Sequence, residues 1–272
     1  MTTADVALTD LVGYELDAGA AHITLSAPER GNPLDPAMAT DLLRAVRRAR
    51  ADDARVVVLR GRGRAFSFGG DVGAFASAED PEQLVDDLAE TLHRTVSDLH
   101  RMDAVVVSAV HGTAAGAGVP LAAAADVVLA GASARFTLAY TKIGLSPDRG
   151  NSLLTASLGL HRALHLALLN PVLNAEQAHA AGLVAEVHLD DELDAASDRV
   201  VAQLLAGSRT AQVAAKRLLR EVAVPWEEGA LRRETLSIRA CASSPDGREG
   251  VTAFVDKRPA AFPSTLTRSP TH

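Results

Sequence analysis

Three short segments hold the residue types best suited to chemistry: Arg62 to Asp71 (RGRAFSFGGD), Val110 to Gly118 (VHGTAAGAG) and Pro147 to Gly150 (PDRG). Each glycine-rich segment follows an apolar, strand-like run and leads into a helical pattern. Glycine lets the backbone turn sharply and a ligand come close, and the unpaired N–H groups of a starting helix carry a partial positive field. Two such junctions on neighbouring parallel strands can aim two amides at one oxygen, which is the geometry of an oxyanion hole. Two ordinary tight turns are the plainer reading. Asp148 is either the cap of the helix that follows or a carboxylate able to carry a proton.

Other patterns carry less. His161 and His165 stand four apart on one helical face, but Arg162 follows where the zinc-protease pattern has glutamate, so no metal site is expected. Gly116 and Gly118 are half of a dinucleotide fingerprint whose third glycine position is Leu121. Neither a phosphate-binding GxxxxGKS/T loop nor a GxSxG nucleophile elbow is present.

The elements that must position these segments follow from periodicity. Val12 to Leu16 and His22 to Leu25 read as a hairpin. Met38, Leu42, Val46 and Ala49 recur at helical spacing after the cap Asp35, ahead of the strand Val56 to Leu59. Leu84, Leu88, Leu92, Val96 and Leu99 form a longer stripe before the strand Val105 to Val110. A small-residue helix over Gly116 to Ala125 precedes Val127 to Ala130. Continuous β-branched runs separated by helices imply parallel strands covered on both faces, an α/β architecture. Beyond Asp190 only helical patterns remain, over Asp191 to Leu205, Ala211 to Val222, Glu227 to Cys241 and Gly247 to Lys257. Residues 1–190 are therefore expected to form an α/β core, 191–263 a helical region and 264–272 a flexible tail.

Composition excludes several classes. With 272 residues, 47% hydrophobic and 22% charged, the chain is long and apolar enough for a sizeable core. Lys and Arg number 27 against 34 Asp and Glu, a formal charge of -7 that argues against nucleic-acid binding. The single Cys241 demands no oxidising compartment. No apolar run reaches the roughly 18 residues of a spanning helix, and Met1 to Asp10 lack a signal-like basic segment, so a cytoplasmic location is expected.

At the glycine segments the chain resembles the crotonase superfamily, the enoyl-CoA hydratase/isomerase family. The likeness runs from Pro28 to Asn32 (PERGN), through Ala65 to Asp71 and His111 to Gly118, to Lys142 to Asp148 (KIGLSPD) and Ala253 to Lys257 (AFVDK). It implies a spiral of ββα units with a helical C-terminal trimerisation region, a homotrimer or dimer of trimers, and an acyl-CoA thioester substrate. It implies no metal or redox cofactor, coenzyme A being part of the substrate. By the same resemblance, the backbone amides of Phe68 and Ala117 would hold the thioester carbonyl. Arg30, Ala65, Phe66, Gly69, Gly70, Asp71, Gly116 and Tyr140 fall in segments that bind substrate or CoA. Phe254 and Lys257 would cover the CoA, reaching a neighbouring subunit's site.

The departures bear on the chemistry. Hydratases of the family use two glutamates, and the resemblance sets these at Pro120 and Tyr140. Proline has no titratable group and a tyrosine hydroxyl titrates near about 10, so simple syn hydration is not expected. Asp148 matches the aspartate of epoxyphenylacetyl-CoA isomerase-like, dienoyl-CoA isomerase-like and 4-chlorobenzoyl-CoA dehalogenase-like members, although Arg149 stands where glycine is more usual. The resemblance thus implies an isomerase in which Asp148 shuttles a proton from C2 to C4 of a 3-enoyl-CoA, or opens a ring-epoxide thioester. A dehalogenase-like enzyme, which needs a partner histidine that His111 does not supply, an atypical hydratase and a non-catalytic acyl-CoA binder are the alternatives.

Overall fold

The computed structural model describes residues 10–77, 80–148, 150–223 and 227–266; Arg149 and the tail beyond Leu266 lie outside them. Val12–Asp17 (β1) and Ala20–Leu25 (β2) form the expected antiparallel hairpin, and β2 then runs parallel to Val56–Gly61 (β3). Ala65–Ser67 (β4), Val105–Val110 (β5), Thr113–Ala115 (β6), Val127–Gly131 (β7), Arg135–Thr137 (β8), Leu173–Asn174 (β9) and Glu186–His188 (β10) complete the strands. They form a six-stranded sheet, β1-β2-β3-β5-β7-β10, and a four-stranded one, β4-β6-β8-β9. Each of β3, β5 and β7 thus passes directly into a short strand of the second sheet. The chain turns through this repeat as a spiral of ββα units.

The helices up to this point are Pro36–Ala51 (α1), Val72–Ser77 (α2), Pro81–Arg101 (α3), Gly118–Ala123 (α4), Leu154–Leu158 (α5), Leu160–Leu169 (α6), Ala175–Ala180 (α7) and Leu193–Ala206 (α8); α1 and α3 cover one face of the larger sheet and α8 the other. The side-chain oxygen of Asp35 accepts the Met38 N–H at 2.9 Å, and Asp80 accepts the Gln83 N–H at 3.0 Å, so α1 and α3 both start on an acidic cap followed by proline. Strand alternation divides the apolar residues between two cores. Val57, Leu59, Val106 and Val110 face α1 and α3, while Val56, Val58, Val107, Ala109 and Leu129 face Leu193 and Val201 of α8. This double burial explains the unbroken Val runs.

Past the last described strand come Arg209–Ala223 (α9), Glu227–Ser243 (α10), Pro245–Val255 (α11) and Pro263–Leu266 (α12). Of these, α10 and α11 pack on the chain's own core. In α10, Leu231, Thr235 and Ile238 are buried, and the helix lies along α3. The segment expected to be a flexible tail begins with a helical turn, in which the Ser264 N–H donates to Asp246 Oδ1 at 3.0 Å. No helix among the described residues is long and apolar enough to cross a membrane.

Candidate active site

The parallel pairing of β4 with β6 sets the two glycine-rich junctions side by side. Gly69, at φ +85°, lies so close to the second loop that a Cβ there would meet Ala115 O at 2.6 Å and Ala117 N at 3.0 Å. Only glycine meets both the left-handed backbone and the close approach. Gly116, at φ +49°, donates its N–H to Thr137 O at 2.9 Å, and Ala117, 1% exposed, stands at the N-cap of α4. The Phe68 N–H is occupied: it donates to Gly31 O at 2.9 Å, while the Phe68 ring, 38% exposed, lies 5.2 Å from the Arg64 guanidinium.

The flanking residues are built into this frame. Ala65 and Phe66 are fully buried, and their carbonyls accept from Asn32 Nδ2 at 2.8 and 3.2 Å. Gly70 is half-buried beside them. Asp71 accepts the Ala74 N–H at 3.1 Å, at the start of α2. Arg30 pairs with Asp35 and lies 3.4 Å from Asp71, so two carboxylates already share its charge. Phe254, 58% exposed, and Lys257 are on the surface at the end of α11, whereas His161 and His165 are exposed on α6.

Asp148 lies in the interior, 0% exposed. Its loop is held against α4: a Cβ on Gly150 would sit 3.6 Å from Pro120 Cβ and 3.5 Å from Val96 Cγ1. Ala117, Pro120 and the Asp148 loop therefore meet around the first turn of α4, where proline removes no helical hydrogen bond. The Tyr140 hydroxyl, also buried, donates to Asp148 O at 3.3 Å. Behind Pro120 and Gly150 opens a cavity of about 450 Å³, walled on one side by Val96, Leu153 and Leu154 and on the other by His100, Asp126, Lys216 and Arg220.

Two side chains that the sequence reading did not single out complete this site. His93 Nε2, from α3, is 2.9 Å from Asp148 Oδ1 and 3.6 Å from Glu234 Oε2 of α10. His93 Nδ1 is 3.1 Å from Thr235 Oγ1, whose own hydrogen is directed to Leu231 O at 3.3 Å. With the Thr235 hydroxyl donating to Leu231 O, Nδ1 can donate to Thr235 while Nε2 donates to Asp148, an arrangement that favours the protonated imidazole. Burial pushes the His93 pKa down, but the hydrogen bonds and charges of Asp148 and Glu234 outweigh it and raise the value from 6.5 to about 9. A signal was present in the sequence: His93 lies four residues after Ala89 and three before Val96, on the buried face of α3. His111, weighed for the partner's place, instead bonds Gly63 O at 2.8 Å.

His93, Asp148 and Glu234 offer three ligand atoms within 4.8 Å of one another, a spacing compatible with a metal ion. Metal binding needs a neutral imidazole. Both Glu234 oxygens already accept backbone N–H groups, and the two acids raise the imidazole pKa, so a metal ion would have to displace a proton held between them.

Residues 15–265 match the family described as enoyl-CoA hydratase/isomerase. The chain belongs to that family, within the crotonase superfamily. It is 38% identical over 252 residues to a probable enoyl-CoA hydratase of Rhodobacter capsulatus, covering 92% of this chain and 97% of the relative. It is 35% identical over 262 residues to the 1,2-epoxyphenylacetyl-CoA isomerase of Escherichia coli, covering 94% and 99%. The crystal structure of an enoyl-CoA hydratase from Mycobacterium avium subsp. paratuberculosis superimposes with a TM-score of 0.85 at 35% identity, covering 93% and 98%. Hydratases and isomerases of the enoyl-CoA hydratase/isomerase family thus resemble this chain to a similar degree.

Proposed function

We propose that the protein is an acyl-CoA isomerase that moves a double bond through a thioester enolate, with Asp148 as the proton shuttle. The observation that carries this reading is a fully buried carboxylate whose loop packs on the turn that begins at Ala117. On this reading the Ala117 N–H and the Phe68 N–H, the latter once released from Gly31 O, polarise the thioester carbonyl. Asp148 removes the C2 proton of a 3-enoyl-CoA, and the C–H electrons pass into a dienolate. The double bond moves from C3=C4 to C2=C3 as Asp148 returns the proton at C4. Exclusion of water from Asp148 keeps that proton from exchanging with solvent. A ring-epoxide thioester is the variant of this substrate that the Escherichia coli relative's name suggests.

The test is incubation with a medium-chain 3-enoyl-CoA in deuterated water, following conjugated-thioester absorbance and separating the products. Formation of 2-enoyl-CoA with little deuterium at C4 is expected. Release of 3-hydroxyacyl-CoA as the first product overturns the isomerase reading in favour of hydration, and tight binding without turnover points to a non-catalytic acyl-CoA binder.

His93 favours a second reading, the dehalogenase-like one. Asp148 would attack the halogen-bearing ring carbon of an aryl-CoA, expelling halide, and His93 would deprotonate the water that hydrolyses the resulting aryl ester. An imidazole that keeps its proton up to about pH 9 is a poor base at neutral pH, which favours the shuttle. Halide release from 4-chlorobenzoyl-CoA, rising towards pH 9, would reverse that preference.

Self-association belongs to the same proposal. Leu160, Leu164 and Leu168 form an apolar line on α6, 61%, 43% and 63% exposed, and Leu218, Leu219 and Val222 are exposed on α9. Sedimentation is expected to give a trimer or hexamer of the 28.3 kDa chain, reduced by the double substitution Leu164→Glu/Leu168→Glu. A wild-type monomer overturns this expectation.

A further inference from the structure

Glu234 comes from the helical region, 86 positions after Asp148, and is buried at 6% exposure. Its carboxylate bridges two structures. Oε2 accepts the Gly150 N–H at 2.7 Å and Oε1 the Ser152 N–H at 2.6 Å, so both oxygens clamp the loop that carries Asp148. Oε2 also lies 3.6 Å from His93 Nε2. A carboxylate buried with two amide donors and a cation is well satisfied; its removal would leave the two amides without a partner and His93 with Asp148 as the one acid on its Nε2.

We propose that Glu234 is a positioning residue for Asp148 as the acid–base group: from α10 it fixes the Asp148 loop and keeps His93 charged beside it throughout turnover. With both carboxylates ionised and His93 protonated, the cluster carries one net negative charge. When Asp148 takes the substrate proton it becomes neutral, and Glu234 alone remains to balance the imidazolium. Without Glu234, that stage would leave a buried cation unpaired, and His93 would lose its proton. The imidazolium would then no longer hold the Asp148 carboxyl in place for delivery at C4.

The other charged groups around the ring are already paired or turned outward. The cleft at its outer edge is lined by Glu90, Arg94 and Asp98 of α3, Arg47 of α1 and Arg232 of α10. Glu90 holds Arg94 at 2.8 Å and Asp98 holds Arg47 at 3.1 Å. Asp148 and Glu234 are the two acids directly on the imidazole nitrogen.

The experiment compares Glu234→Gln and Glu234→Asp with wild type in the pH profile of kcat/KM for a 3-enoyl-CoA, and in histidine NMR titrations of the same proteins. Wild type is expected to lose activity as His93 deprotonates near about pH 9. Removing a negative charge lowers the pKa of a neighbouring cation, so in E234Q the high-pH limb and the His93 titration should both move down by about one unit or more. The effect should fall on kcat more than on KM. Glu234→Asp keeps the charge and should keep the limb near its original pH, at reduced kcat. A merely structural role predicts that both variants lose activity or stability with the limb unmoved. Unshifted His93 titration in folded E234Q overturns the proposal, as does an equal shift in Glu234→Asp. The titration needs no turnover: if wild type proves inactive, the shuttle reading fails, while the NMR shift still reports the hold of Glu234 on His93.

Discussion

Asp148→Asn is expected to fold, to bind acyl-CoA and to lose about 10²- to 10⁴-fold in kcat, the usual contribution of a positioned acid–base group. That loss corresponds to about 3 to 5 kcal/mol of barrier. The substitution is nearly isosteric, and an amide oxygen can still accept from His93 Nε2 in place of the carboxylate oxygen 2.9 Å away. Glu234 remains to balance the imidazolium, so the interior is not left with an unpaired cation. What disappears is the capacity to take up and return a proton. Isomerisation should stop, while KM stays within a few fold. Retention of isomerisation in the variant would show that another group carries the proton. Simultaneous loss of binding would show that Asp148 shapes the pocket.

Asp126→Ala is expected to remove about 3 to 5 kcal/mol of stability, the cost of stripping one partner from a buried ion pair and a large part of the ordinary 5–15 kcal/mol. Asp126 Oδ2 lies 2.9 Å from Lys216 Nζ and accepts the Val106 N–H at 2.8 Å, and Oδ1 accepts from Arg220 Nε at 2.9 Å. Lys216, 8% exposed, further donates to Leu99 O at 3.0 Å and Ala104 O at 2.7 Å, so these two cations fasten α9 to the end of α3 and the edge of β5. Burial lowers the Lys216 pKa and Asp126 pulls it back up. A depressed lysine means that the unfolded chain binds more protons, so stability rises with pH across that window. Without Asp126 the depression deepens. The deficit of the variant should therefore be greatest at neutral pH and shrink as pH rises towards 10. Urea unfolding at pH 7 and pH 10 measures both. A loss below about 1 kcal/mol would mean that α9 is held by its apolar contacts instead.

Elements with a strong local period were legible in the sequence. The hairpin, the Asp35-capped α1 and the strand Val105–Val110 follow from alternation, helical spacing and a cap within a few residues. The second sheet was not legible as a sheet. Ala65–Ser67, Thr113–Ala115 and Arg135–Thr137 are three residues each, too short for an alternation to show, and the first two read only as glycine-rich junctions. Their pairing sets Gly69 against Ala117, which is why two separate loops become one candidate oxyanion site.

The chain by itself determined which groups are available: amides at two glycine-rich turns, one carboxylate at Asp148, and no carboxylate at Pro120 or Tyr140. Those are matters of residue type and of neighbours a few positions away. Only the tertiary structure decided the charge around that carboxylate. His93, Asp148 and Glu234 come from α3, a loop and α10, and no local period relates them. Electrostatic interaction depends on distance and on excluded water, and folding sets both. The same Asp148 would be a cap on an exposed turn; with the His93 imidazole at 2.9 Å and no surface open to solvent, it becomes part of a buried cluster of titratable groups.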